Sequence, residues 1–379
     1  MNLIQNINVQ DKTVILRCDL NVTIKDGHIQ SDEKIKASLE TINYLVEKNA
    51  KIIIISHLGR VKTEEDKAGN SLRPVFNRLK ELINHQISFC ETTHGEELEN
   101  MIKNLNNCEI ILVENIRFED VPDKKESSCS EELTNYWANL GDVFIYDAFG
   151  VAHRRHALIY GLFMKMPSAV GFLVQKELEG LAPLMNPDAP FVVLMSGAKL
   201  ADKIILIESL LKKCDYLLIG GGIANTFLSL KHDMGQSLVS YDSIEEVQAL
   251  MAEYSDKIIM PDDVVIGSGE IKQVDNINID ESAFDIGPKT IKKYADYINK
   301  GRTIFINGTV GMYEDDRYAN GTKEILTICS NASGKTIVGG GDALASAQKF
   351  NIEGFDFIST GGGVTLDYIG TGKIAGLEE

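Results

Sequence analysis

Residues 52–60 read IIIISHLGR, an apolar run that ends in a histidine and, three residues later, an arginine. Similar short apolar runs recur along the chain, and they are continuously apolar rather than alternating. This pattern is typical of parallel strands that are covered on both faces. The predicted strands are Thr13–Arg17, Lys51–Ser56, Glu109–Glu114, Val143–Asp147, Phe191–Met195, Tyr216–Ile219, Thr303–Ile306, Thr336–Val338 and Phe355–Ser359.

Amphipathic segments between these runs predict helices. Alternation of strand and helix indicates βαβ units, and therefore an α/β fold built on parallel sheets. A length of 379 residues suggests two domains. We interpret residues 170–187 as a helix that connects them and the polar stretch 119–132 as a surface loop. The clearest predicted helices are Ser38–Lys48, Arg73–Ile83, Ala201–Lys212 and Ala343–Phe350.

Composition and charge argue against several classes of function. A formal net charge of -17 argues against a nucleic-acid partner, because binding nucleic acid needs a basic surface. No apolar run approaches the roughly 20 residues that span a bilayer, and the N-terminus does not resemble a signal peptide. The six cysteines form no C-x-x-C pair, which favours free thiols in a reducing cytoplasm.

Basic residues follow the predicted strands of the first half, in LRCDLN (16–21), SHLGR (56–60), ENIRF (114–118) and DAFGVAHRRH (147–156). Ligands of open α/β sheets bind beyond the carboxyl ends of strands, and arginine matches carboxylate and phosphate oxygens. Any one of these arginines is equally compatible with a surface ion pair. Their recurrence after four strands predicts a pocket for a small polyanion. Its candidate residues are Asp19, Asn21, His57, Arg60, Arg117, His153, Arg154 and Arg155.

Glycines follow the strands of the second half, in MSGAK (195–199), IGGGIAN (219–225), INGTVG (306–311), VGGGD (338–342) and STGGG (359–363). Glycines before a helix let backbone N–H groups approach a phosphate closely. One cluster would merely mark a tight turn, whereas five favour a nucleotide site. Asp342 and Asp202 are candidate Mg²⁺ ligands. Lys199 and Lys203 lie four residues apart, which predicts that one helical face presents both ammonium groups to phosphates.

A nucleotide site opposite a polyanion site indicates phosphoryl transfer, which depends on positioning, charge neutralisation and exclusion of water. Two domains that close on each other would exclude the water.

The motifs resemble those of the phosphoglycerate kinase family, in family order from about Val14 to the C-terminus. They include RCDLNV, SHLGR, ENIRF, DAFGVAHRRH, SGAKLADKI, IGGGIANTF, DIGPKT, NGTVGMYE, VGGGD and STGGG. The resemblance implies two Rossmann-like domains with parallel sheets, joined by a hinge helix. Expected segments are a 3-phosphoglycerate-binding domain (1–168), the hinge helix (169–187), a nucleotide-binding domain (188–363) and a tail that returns to the first domain (364–379).

The resemblance further implies a cytoplasmic, monomeric glycolytic enzyme that transfers phosphoryl groups between 1,3-bisphosphoglycerate and Mg-ADP. Lys34, Lys199, Lys203, Gly340 and Gly341 would be catalytic. The residues that would bind 3-phosphoglycerate are Asp19, Asn21, Lys34, His57, Arg60, Arg117, His153 and Arg154. The residues that would bind ATP or ADP are Gly197, Lys199, Lys203, Gly221, Asn307, Glu314, Gly340, Gly341, Asp342 and Ala343, with Asp342 also serving Mg²⁺.

The chain departs from the family pattern at several positions. Lys34 replaces an arginine that would stabilise the moving phosphoryl group, and Ala343 replaces a threonine. Further departures are Arg155, Leu158, Ile306 and Thr309. Two alternatives therefore stay open: a related Mg-ATP-dependent kinase for a different (phospho)carboxylate, and a nucleotide-binding paralogue without catalysis.

Overall fold

The protein is described by a computed structural model that covers residues 1–201 and 203–378. The chain divides into two compact units. The first contains residues 1–178 together with the C-terminal residues from Lys373 onward, and the second contains residues 179–372.

The first unit contains a six-stranded sheet in which every pair of neighbouring strands is parallel, in the order β5-β6-β4-β1-β7-β8. Strands β2 and β3 form a separate hairpin. Near the end of β1, Arg17 is opposite Ile55 of β4 on one side and Tyr146 of β7 on the other. Strands β1, β4 and β7 therefore end side by side. The strands are β1 (Thr13–Cys18), β2 (Ile24–Lys25), β3 (His28–Ile29), β4 (Lys51–Ile55), β5 (Ile87–Cys90), β6 (Ile110–Val113), β7 (Val143–Asp147) and β8 (Ser168–Val170).

Helices cover this sheet because its apolar residues need burial on both faces. Val14, Leu16, Ile52 and Ile54, for example, are fully buried in the core cluster. Local signals fix several helix starts, among them a proline in the first turn of α3. The helices are α1 (Glu33–Glu47), α2 (Glu64–Gly69), α3 (Arg73–Leu82), α4 (Glu96–Lys103), α5 (Glu131–Ala138), α6 (Leu162–Lys165) and α7 (Phe172–Met185), of which α7 continues into the second unit.

The second unit contains another fully parallel six-stranded sheet, in the order β11-β10-β9-β15-β16-β17. Strands β12, β13 and β14 form a small antiparallel sheet that the sequence patterns do not predict. The strands are β9 (Phe191–Met195), β10 (Tyr216–Ile219), β11 (Ile258–Ile259), β12 (Asp263–Ile266), β13 (Ile271–Gln273), β14 (Ala283–Ile286), β15 (Thr303–Asn307), β16 (Lys335–Gly339) and β17 (Phe357–Ser359).

Taken in chain order, the strands of the parallel sheet run 3-2-1-4-5-6, the arrangement of doubly wound nucleotide-binding folds. The strand order reverses between β9 and β15, which are neighbours, and Met195 is opposite Asn307 at their ends. A ligand crevice is expected there. The helices of this unit are α8 (Ile204–Leu211), α9 (Gly221–Leu228), α10 (Ile244–Tyr254), α11 (Pro288–Ile298), α12 (Asn320–Ser330), α13 (Gly341–Lys349) and α14 (Gly363–Thr371).

The structure confirms the predicted α/β fold with parallel sheets. Its units end at places that differ from the expected boundaries: residues 364–371 all lie in α14, which belongs to the second unit, and only the residues from Lys373 onward belong to the first unit. The stretch 119–132 is not simply a surface loop, because Glu119 and Glu126 are buried. No helix among the described residues has the length and apolarity needed to cross a membrane.

Asp147 ends β7 and lies against the start of α7, where its Oδ1 accepts a hydrogen bond of 3.1 Å from the backbone N–H of Val174. Burial raises the pKa of Asp147 to about 6, so ionisation of this group disfavours the folded state. This destabilisation is absent below the pKa of Asp147 in the unfolded state, where the carboxyl group is protonated in both states. It is fully present above pH 6, where the carboxyl group is ionised in both states.

Asp147→Asn is therefore expected to gain stability relative to the unmodified protein as the pH rises from 4 to 7, by up to about 3 kcal/mol. Urea unfolding of both proteins at several pH values measures the difference. A difference that does not change with pH would contradict this account of Asp147.

Candidate active site

The cationic site of the first unit is built around Arg17, which lies near the end of β1 and is only 2% exposed. Its Nη2 donates a hydrogen bond of 3.1 Å to Nδ1 of His57, directly after β4. A guanidinium only donates, so Nδ1 is the acceptor and the imidazole proton is on Nε2. Burial, followed by nearby guanidinium groups, lowers the pKa of His57 well below its ordinary value. Neutral His57 therefore offers the pocket an N–H donor at Nε2.

Arg117 and Arg154 line one narrow cavity together with Arg17 and His57, and this cavity is too small to hold a water molecule. Arg117 lies on a short 3-10 helix after β6, and its backbone N–H is held at 3.1 Å by the side chain of Asn115. Burial, and then the charges of Arg154 and Arg17, lower the pKa of Arg117. Three guanidinium groups that disfavour one another's charge provide a strong electrostatic site for an anion.

The other predicted residues of this site flank the same strand ends. Asn21 accepts a hydrogen bond of 2.9 Å from the backbone of Gly59, next to the exposed Arg60. Lys34 forms an ion pair of 2.9 Å with Asp19, and its side chain is 48% exposed.

His153, which directly precedes Arg154, is partly buried. It does not line the narrow cavity that contains Arg154.

The sequence reasoning missed four residues of this site: Arg17, Asn115, Glu126 and His156. Arg17 carried a usable signal, because an arginine inside an otherwise apolar strand is almost never fully buried unless it is paired with another group. Asn115 is fully buried, and its Nδ2 donates to the carbonyl groups of Leu58 and Asn70. This bonding holds the turn that carries His57, a role that no local pattern indicates.

The second unit places an ammonium group at the point where the strand order reverses. Lys203 Nζ donates hydrogen bonds of 2.6 Å to the carbonyl of Ser196 and 2.8 Å to Oδ1 of Asn307. Asn307 Nδ2 donates in turn to the carbonyl of Gly339, at 2.8 Å. Asn307 therefore connects the ends of β9, β15 and β16 through the lysine.

Two glycines closely surround this network. Gly197 has φ +134°, and a Cβ there would lie 3.0 Å from Nζ of Lys203. Gly340 has φ +102°, and a Cβ there would lie 2.7 Å from Nδ2 of Asn307. Both positions combine a left-handed backbone with a close approach, so only glycine fits them without strain.

The prediction that one helical face presents both Lys199 and Lys203 is wrong. Helix α8 begins at Ile204, and the backbone N–H of Lys203 closes a turn on Leu200. The turn lets the Lys203 side chain fold back onto Ser196, whereas Lys199 is exposed in the preceding loop. Asp202, the second candidate Mg²⁺ ligand, lies outside the described residues.

A cavity of about 470 Å³ opens in the second unit, a size that suits a nucleoside. Val264, Phe284 and Val310 contribute apolar walls. Four predicted nucleotide-binding residues also line it: Gly197, Gly221, Glu314 and Asp342.

The start of α13 presents backbone N–H groups in the manner of a phosphate site. Gly340 occupies the N-cap, Gly341 begins the helix, and a Cβ on Gly341 would meet open space. Asp342 is exposed in the first turn. Ala343 is fully buried among core residues, so its methyl group is not available to a ligand.

Comparison with known proteins gives a consistent result. The sequence model of the family described as phosphoglycerate kinase matches residues 4–373. A phosphoglycerate kinase of Macrococcus caseolyticus is 42% identical over 387 residues, which cover 99% of this chain and 98% of the relative. A phosphoglycerate kinase structure from Coxiella burnetii has a TM-score of 0.88 at 33% identity, covering 99% of this chain and 97% of that one. One from Pyrococcus horikoshii OT3 has a TM-score of 0.84 at 32% identity, covering 100% and 98%.

Proposed function

The chain belongs to the phosphoglycerate kinase family, and on that premise we propose how its residues divide the family reaction between them. The reaction is the reversible glycolytic transfer of a phosphoryl group from 1,3-bisphosphoglycerate to ADP, which gives 3-phosphoglycerate and ATP. The first unit binds the phosphorylated acid, and the second unit binds the nucleotide.

The cluster of Arg17, His57, Arg117 and Arg154 carries the first part of this proposal, and its side chains have to separate to admit a phosphate, because the space between them is too small for a water molecule. Three guanidinium groups supply bidentate donors for the phosphate of 3-phosphoglycerate, and neutral His57 adds the N–H of Nε2. Exposed Arg60 and partly buried His153 extend the site, and the Asn21 amide orients the backbone beside Arg60. Plain carboxylates would leave these donors without a partner, which favours a phosphate-bearing acceptor.

The nucleotide side rests on the cavity beside β15 and on the start of α13. The base and ribose occupy the apolar cavity, where Glu314 contacts the ribose. The phosphates lie against Gly197, Gly221 and the N–H groups at Gly340, Gly341 and Ala343, where the helix terminus favours negative charge. Exposed Lys199 adds an ammonium group from the neighbouring loop.

Lys203 is the residue that we assign to the transferring phosphoryl group. Asn307 and the Ser196 carbonyl hold its ammonium group in a defined position before substrate arrives. A charge that is already oriented stabilises developing negative charge without reorganisation during the reaction.

Asp342 fits a magnesium ion that arrives with the nucleotide. Mg²⁺ in kinases is held by one or two carboxylates plus phosphate oxygens, and Asp342 offers an exposed carboxylate beside the phosphate loop. Within residues 1–201 and 203–378, no cluster of three or more His, Cys, Asp or Glu side chains offers a site made of protein ligands alone. The bound ion would neutralise phosphate charge during transfer.

Lys34→Arg is expected to raise turnover several-fold. The Lys34 ammonium is engaged by Asp19 at 2.9 Å, whereas a guanidinium could keep that contact and direct further N–H donors to the phosphoryl group. Steady-state kinetics with 3-phosphoglycerate and Mg-ATP measure the change.

Lys36→Arg is the matched control, because Lys36 lies on the same helix and forms an ion pair of equal length with Asp32. Unchanged or reduced turnover in Lys34→Arg would show that the site is adapted to lysine.

We also propose that the protein is a cytoplasmic monomer. All six cysteines are free thiols in the structure, which is consistent with a reducing compartment.

Acceptor specificity tests the proposed function against its alternatives. ATP consumption is measured with 3-phosphoglycerate and, separately, with glycerate, which lacks the phosphate. The proposal predicts that only 3-phosphoglycerate supports efficient transfer. Preference for an unphosphorylated acid would favour the related kinase, and nucleotide binding without transfer to either acid would favour the non-catalytic paralogue.

A further inference from the structure

Glu126 is a buried carboxylate within the cationic site. It comes from the polar stretch after β6, yet its side chain is only 1% exposed. It lines the same narrow cavity as Arg17, Arg117, Arg154 and His156. The side chains that line this cavity thus include three guanidinium groups and a single carboxylate.

The backbone and side chain of Glu126 are both fixed. Its Oε2 accepts a hydrogen bond of 2.9 Å from the backbone N–H of Leu158, and its backbone carbonyl accepts one of 2.9 Å from Ala157. Its Oε1 lies 3.6 Å from Nδ1 of His156 and has no hydrogen-bond partner among the described residues. One oxygen therefore anchors the side chain, and the other faces His156 without a hydrogen bond from any described residue.

Arg17 is a buried cation with hydrogen-bond donors left unused by the described residues. Its Nε and Nη1 are buried and have no hydrogen-bond partner in the described part of the chain. Burial lowers the pKa of Arg17, and among the surrounding charges Glu126 opposes this lowering most. A buried cation that loses its counter-charge is strongly destabilising.

We propose that Glu126 is the counter-charge of the cationic site in its substrate-free state. It stabilises Arg17 and its neighbouring guanidinium groups until an anionic substrate supplies negative charge of its own. Because Glu126 remains in the site, it repels the bound substrate and favours its release. The inference rests on the proposed function for the identity of the substrate, 3-phosphoglycerate.

Glu126→Gln tests this role, because glutamine keeps the shape and an oxygen for the Leu158 N–H while removing the charge. The variant is expected to melt several degrees lower without ligand and to show a larger rise in Tm on adding 3-phosphoglycerate. Its Kd for 3-phosphoglycerate is expected to fall about tenfold, because the repulsion between Glu126 and the substrate is removed. This is about the effect of two like unit charges roughly 10 Å apart at an effective dielectric constant near 20. Calorimetry and thermal unfolding at low salt measure both.

Glu119→Gln is the matched control. Glu119 lies in the same stretch, is 7% exposed, and accepts hydrogen bonds from Thr93 and His94. It does not line the cationic cavity. Its substitution is expected to lower the Tm but to leave the Kd for 3-phosphoglycerate within about twofold.

The possible outcomes distinguish a failure of the counter-charge role of Glu126 from a failure of the proposed function. Weaker binding of 3-phosphoglycerate by Glu126→Gln, or an unchanged Tm without ligand, would overturn the counter-charge role. Inorganic phosphate serves as a second probe. If the unmodified protein did not bind 3-phosphoglycerate, tighter phosphate binding by Glu126→Gln would support the role of Glu126 while the proposed function failed. Equal phosphate binding by both proteins would then overturn the inference as well.

Discussion

Replacing Lys203 with alanine is expected to reduce turnover about a hundredfold to a thousandfold. The Lys203 ammonium is oriented by Ser196 and Asn307 before substrate binds, and removal of one such preorganised donor typically has an effect of this size. The loss is expected mainly in kcat, since the group acts on charge that develops during transfer.

Lys212→Ala provides the comparison for Lys203→Ala. Lys212 follows the same helix, α8, but pairs with Glu208 on the surface at 2.7 Å. Its loss is expected to leave kinetics unchanged. Wild-type turnover in Lys203→Ala would refute the assignment of this lysine to the transferring group.

Gly340→Ala is expected to reduce nucleotide affinity and turnover, the latter by about a hundredfold. The residue has φ +102°, and its new Cβ would lie 2.7 Å from Nδ2 of Asn307. The loop and Asn307 would have to separate, which displaces both the phosphate-binding N–H groups and the residue that orients Lys203. Displacements of about 1 Å have effects of this order on rate.

Gly354→Ala is the control that distinguishes the effect of backbone strain from the effect of displacing the active-site loop. Gly354 also has a left-handed backbone, with φ +105°, and its Cβ would lie 3.0 Å from the Ser330 carbonyl. Both variants are expected to lose stability, whereas only Gly340→Ala should lose activity. Equal kinetics in the two variants would contradict a close fit at Gly340.

The sequence predicts the parallel sheets well because their strands are continuous apolar runs. The limits of β7, β9 and β10 agree with the predicted strands residue for residue. Strand β5 (Ile87–Cys90) was missed, since it is a short edge strand in which only the two end residues are buried. The antiparallel strands β12 to β14 were missed for a related reason: they are short, and Ile271 of β13 is exposed.

The candidate site was predictable where its residues end a strand or lie in the segment that follows one. Asn307 is the last residue of β15, and Arg117, Arg154 and Lys203 lie in the segments that follow β6, β7 and β9. Contacts that form when a side chain folds back onto an earlier part of the chain were not predictable. The four-residue spacing of Lys199 and Lys203 suggested a shared helical face. Instead, Lys203 lies in the turn before α8 and its ammonium group contacts the carbonyl of Ser196. Glu126 was missed because a polar stretch gives no sign that one of its carboxylates is buried.

The most direct test of the proposed function is turnover of the purified protein with Mg-ATP and 3-phosphoglycerate, with the acyl phosphate detected by a coupled dehydrogenase. We predict sustained formation of 1,3-bisphosphoglycerate that depends on both substrates and is lost in Lys203→Ala. A protein that binds ATP and 3-phosphoglycerate but forms no acyl phosphate would contradict the assignment.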